Sequence, residues 1–78
     1  MDREQALLNQ IVQNVGQFIP FPRLRLNCIE PERYVVTFVD RNIGVAFDFP
    51  DAVEGESAEA ARIAFNVSQK LLACSNEP

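Results

Sequence analysis

The side chains of this chain that could do chemistry are Cys28 and Cys74, the carboxylates of Asp48, Asp51, Glu54, Glu56 and Glu59, and the guanidinium groups of Arg23, Arg25, Arg33 and Arg41. Histidine is absent. Its absence removes the most frequent general base, the most frequent neutral metal ligand and the usual activator of a serine or cysteine nucleophile. Cys28 alternates with Leu24 and Leu26 and has no base beside it, so it reads as a small buried hydrophobe rather than a nucleophile. Cys74, three residues beyond Leu71 at helical spacing, reads the same way. The acidic stretch lacks the regular spacing around a turn glycine that calcium loops require. Gly44 and Gly55 are isolated and do not make a phosphate-binding loop. The expectation is therefore no catalytic residue, no metal and no cofactor.

These side chains must be held by elements that the hydrophobic pattern reveals. Leu7, Leu8, Ile11, Val12, Val15 and Phe18 recur at helical spacing, which predicts an amphipathic helix over about 2–16. Asp2 is placed as its N-cap and Gly16 as a left-handed C-terminal cap, and Pro20 and Pro22 prevent continuation. Strict alternation then predicts three strands over about 23–29, 33–39 and 43–49, separated by turns at Glu30-Pro31-Glu32 and Asp40-Arg41-Asn42. Connections this short require an antiparallel meander. An acidic segment precedes Ser57, which is placed to cap a second helix over about 57–74. The stripe of that helix is Ala60, Ala64, Val67, Leu71 and Cys74, broadened by Ile63, Phe65 and Leu72, and 75–78 read as a frayed tail.

The fold class expected is α+β, a two-layer single domain spanning 1–78 with both helices on one face of a three-stranded sheet. The buried sheet face would carry Leu24, Leu26, Tyr34, Val36, Phe38, Ile43, Val45, Phe47 and Phe49. The opposite face would present Val35, Thr37, Val39, Gly44 and Ala46, moderately apolar and without a helix to cover it.

A chain of 78 residues lies near the lower end of sizes that an unaided core stabilises, so association would help it. The net charge of −4, with a single lysine, disfavours both a phosphate-neutralising surface and an anionic membrane surface. No run approaches the ~20 apolar residues that span a bilayer. The amino terminus lacks the basic start and apolar stretch of a secretion signal, so a cytoplasmic protein with reduced cysteines is expected.

The order helix, three strands, helix resembles that of double-stranded-RNA-binding domains, and the second helix has a comparable alanine-rich start. Those domains read phosphates with lysines where this chain has Glu54, Glu56 and Glu59, so the likeness implies fold alone. The acidic, dimeric secretion chaperones are a second analogy; they are longer and share no motif with it.

The function expected is a small non-enzymatic interaction module, an adaptor or inhibitor acting by surface occlusion and forming a homodimer. Val35, Thr37, Val39 and Ala46 would be its contact patch. Asp51, Glu54, Glu56 and Glu59 would select a basic protein, with the acidic edge able to mimic nucleic-acid phosphate. The alternatives are a ligand- or nucleic-acid-binding module using the four arginines, and a dimeric escort protein of the chaperone kind.

Overall fold

In a computed structural model, which describes residues 2–75, the chain folds as helix, three strands, helix. Helix α1 spans Arg3–Gly16, strand β1 Leu24–Glu30, β2 Arg33–Phe38, β3 Ile43–Asp48 and helix α2 Ala58–Ser75. The sheet is an antiparallel meander in the order β1-β2-β3, with Leu26 opposite Val36 and Val36 opposite Val45. The two-layer α+β architecture expected from the pattern is the one observed.

Each helix begins where its capping residue dictates. The Asp2 carboxylate accepts from the Glu4 amide, and Glu4 lies in the positive first turn. Ser57 Oγ accepts from the Ala60 amide at 3.2 Å, opening α2. The core is one cluster in which Leu7, Ile11 and Val15 of α1 meet Ala60, Ala64, Val67 and Leu71 of α2 over Tyr34, Val36, Phe38 and Val45. Both helices thus cover the same sheet face. Ala60 and Ala64 are fully buried, and their small side chains let the helices approach closely. Ser68, also buried, donates to the Ala64 carbonyl at 2.6 Å.

Several boundaries differ from the sequence pattern for identifiable reasons. Gly16 adopts no left-handed conformation; α1 ends through Gln17 in the right-handed region, and the amides of Phe18 and Ile19 both donate to the Val15 carbonyl. The positive φ falls instead on Phe21, at 51°, between its two prolines. Strand β2 stops at Phe38, and Val39–Arg41 form a single 3₁₀ turn closed by Asn42 at φ 54°, a residue type that tolerates this region. Cys28 is exposed, not buried, because β1 is an edge strand whose register breaks between Cys28 and Glu30. Cys74 is exposed as well, since the buried stripe of α2 runs through Val67, Ser68 and Leu71 toward half-buried Leu72 and Ser75. Phe18 and Phe65, placed in the helical stripes by their spacing, are 69% and 56% exposed. Of the expected tail, Ser75 is helical and 76–78 lie outside the described residues.

Filling the interhelical space tests this packing. Ala64→Leu should lower stability by about 1–3 kcal/mol through overpacking, seen as a lower midpoint in thermal or urea denaturation with helical circular dichroism retained at low temperature.

Candidate functional site

The segment joining β3 to α2 carries most of the acidic run, and its course is set by Arg3 at the start of α1. The Arg3 guanidinium donates to the carbonyls of Phe49 (3.4 Å), Pro50 and Val53 (3.0 Å), and lies 3.8 Å above the Phe49 ring. A rigid planar fork is the side chain suited to such simultaneous donation and stacking. Gln10 Nε2 donates to the Gly55 carbonyl at 2.7 Å, one helical row further along. Gly55 itself is buried against α1, where an added Cβ would stand 2.8 Å from Arg3 Cα and 3.0 Å from Ala6 Cβ. Only glycine admits so close an approach.

A second knot sits beneath. The Tyr34 hydroxyl donates to Glu4 Oε1 at 2.8 Å, while Arg3 Nη1 reaches the same hydroxyl at 3.5 Å. Burial, reinforced by the bond to the Glu4 carboxylate, pushes the Tyr34 phenol up to about 12. Hydrogen bonding with Asp2, then with Tyr34, holds Glu4 below the usual carboxylate value. The linkage follows in sign. The Glu4 contribution to stability is present above its unfolded pKa and is lost as pH falls through its lower folded value. The Tyr34 contribution is present below the unfolded value of 10.0 and is lost as pH rises toward about 12.

Above this framework lies a cleft of about 350 Å³ lined by Arg3, Ala6, Asp51, Val53, Glu54, Gly55 and Glu56. Its floor includes two apolar side chains and its rim holds three carboxylates, with Arg3 Nη1 3.8 Å from Asp51 Oδ1. The structure therefore brings Asp51, Glu54 and Glu56 together. Glu59 does not line the cleft; it lies in the first turn of α2 and pairs with Arg62 at 3.2 Å. Val35, Thr37 and Ala46 occupy the outer sheet face as expected, Val35 opposite Ala46 and Thr37 opposite Gly44. Val39 is not among them, because the chain leaves the sheet at Phe38 and carries Val39 into the 3₁₀ turn. The four arginines do not converge on one site: Arg33 lies opposite Asp48, 4.0 Å from its carboxylate, Arg25 lies opposite Thr37, and at the other end Arg23 pairs with Asp40 (3.4 Å) while Arg41 donates to the Ser75 carbonyl.

These placements segregate charge. Asp2, Glu4, Glu30, Glu32, Asp48, Asp51, Glu54, Glu56 and Glu59 gather at one end of the molecule, tied by Asp51 N donating to Glu32 Oε2 and Phe49 N to the Glu32 carbonyl. Among the described residues Asp40 alone of the acids lies at the other end, beside Arg23 and Arg41. Also there is the connection from α1 to β1, where Phe18 is 69% and Phe21 93% exposed. Among the described residues no cluster of acidic or sulfur side chains is gathered for a metal ion, and no helix is long and apolar enough to cross a membrane. No family model, curated protein or solved structure matches the chain.

Arg3, Gln10 and Gly55 were not singled out by their sequence pattern as site-forming residues. One signal was available: Arg3, Ala6 and Gln10 share a helical row flanking the apolar stripe, where a small residue between two polar ones leaves room for another backbone.

The chain has one tyrosine and no tryptophan, so ultraviolet titration reports Tyr34 alone. The tyrosinate band should rise with a midpoint near 12, and Glu4→Gln should move that midpoint down only part of the way, because burial, the larger cause, remains. Gly55→Ala should destabilise the fold by about 1–3 kcal/mol in urea denaturation, since the new methyl group meets α1 backbone rather than a movable side chain.

Proposed function

We propose that this chain is a small non-enzymatic interaction module that occludes a basic protein surface. The observation that supports this most directly is the gathering of nearly all described carboxylates at one end, around a pinned, acid-rimmed cleft. A field of one sign concentrated on one pole captures an oppositely charged partner faster than the same net charge spread evenly. The outer sheet face adjoins this pole through the Arg33–Asp48 rung and offers Val35 and Ala46 on the next. The acidic pole supplies long-range attraction, and the flat face beside it supplies desolvated contact, in the division of labour usual at interfaces. On this reading the cleft rim stands in for nucleic-acid phosphates, and the protein acts as an inhibitor of a basic, nucleic-acid-binding partner in the cytoplasm.

Displacement of a labelled DNA duplex from a basic DNA-binding domain is the direct readout. Glu54→Lys with Glu56→Lys should weaken displacement by on the order of tenfold at low ionic strength, and the loss should shrink as salt screens both surfaces. Val35→Lys with Ala46→Glu replaces the apolar rung by an opposite-charge cross-strand pair that the sheet accepts, and it should weaken displacement at every salt concentration. Displacement unchanged in both folded variants would remove this reading.

A further inference from the structure

The most exposed aromatic ring of the protein sits on a backbone conformation that its residue type disfavours. Phe21 is 93% exposed at φ 51°, a conformation disfavoured for a bulky residue, with a proline on each side. Pro22 lies against Gly16, at 3.8 Å from the position of a Cβ there, which seats the loop on the end of α1. Asparagine or glycine would adopt the same backbone more cheaply, so the fold of one copy gives no reason for a phenyl ring at this point. Phe18 stands nearby in sequence, 69% exposed, and Arg23 follows two residues after Phe21, its side chain still 72% exposed while paired with Asp40 at 3.4 Å. The result is an aromatic knob beside a guanidinium group.

The opposite pole of the same chain carries a cleft and charge of the opposite sign. Its cleft of about 350 Å³ has Ala6 and Val53 on its floor and carboxylates on its rim. Arg3 lines it too, with its guanidinium already stacked on one phenyl ring, that of Phe49. We propose that the Phe21 loop of one copy docks into the acid-rimmed cleft of a second copy, joining the proteins head to tail. The proposal rests on the reading of the cleft as a binding site and names an occupant for it. Phe21 fills the apolar floor, and Arg23 exchanges its exposed pairing with Asp40 for the carboxylate rim. Because knob and cleft lie at opposite ends of one chain, each copy offers a free knob and a free cleft to further copies, and association proceeds in series.

Sedimentation equilibrium on the full chain tests this. The weight-average mass should rise with protein concentration at low ionic strength and fall back toward the monomer as salt is added. Phe21→Asn removes the knob with a residue that suits the positive φ, and Glu54→Lys with Glu56→Lys removes the rim. Each variant alone should associate roughly thirtyfold more weakly or worse, with its circular dichroism unchanged. Mixed in equal amounts, the two should form a one-to-one complex and nothing larger, because each retains the half the other lacks. A wild type that stays monomeric, a single-pole variant that still associates, or a mixture that does not combine would each overturn the proposal. A monomeric wild type whose DNA-displacing activity is nonetheless impaired by the rim changes would overturn it while leaving the cleft as the site for a basic partner.

Discussion

The Arg3 guanidinium is the constraint on which the functional end of this molecule depends. A connection of nine residues between a strand and a helix has no ladder to satisfy its backbone, and here one side chain satisfies the carbonyls of Phe49, Pro50 and Val53 while covering the Phe49 ring. Hydrogen bonds to a charged donor contribute about 1.5–3 kcal/mol each, a large share of the margin available to so small a domain. With those carbonyls fixed, Gly55 is brought against α1, Gln10 reaches its carbonyl, and α2 starts where Ser57 can cap it. The cleft is the space left above this arrangement. A lysine could supply the charge but not the planar fork that meets several acceptors and a ring face at once.

The segregation of charge arises from topology rather than from any single charged run. Every element reverses the direction of the one before it, so the start of α1, the β1–β2 turn, the end of β3 and the start of α2 are brought to the same end. Carboxylates far apart in the chain, Glu4, Glu32 and Asp51, thereby become neighbours. Their repulsion is moderated from within by Arg3 and Arg33 and by the positive first turns of both helices. A modest net charge thus conceals a strongly polarised molecule, and the potential a partner meets depends on the direction of its approach.

What was legible in the sequence follows the range of the interactions concerned. Helix and strand limits were readable within a residue or so, because Leu7, Ile11 and Val15, or Tyr34, Val36 and Phe38, report a periodicity fixed by local geometry. The grouping of Asp51, Glu54 and Glu56 was equally visible, being local in sequence. Cys28 misled because alternation names the face of a strand but not whether that strand is at an edge, where cover runs out. Val39 misled because β propensity does not show where a turn must begin. The roles of Arg3 and Gly55 depend on a contact between residues some fifty positions apart, which no local pattern encodes.

The break in register between Cys28 and Glu30 has a further effect on how copies of this protein can meet. An edge strand offers unpaired amides and carbonyls to any extended chain, and a straight β1 would be a template for a fourth strand. The irregularity bends β1 away from straightness near its end, and exposed Arg25, Asn27 and Glu30 add polar groups along it. Continuous sheets running from one molecule into the next are disfavoured on that side by the same local defect that leaves the Cys28 thiol open to solvent.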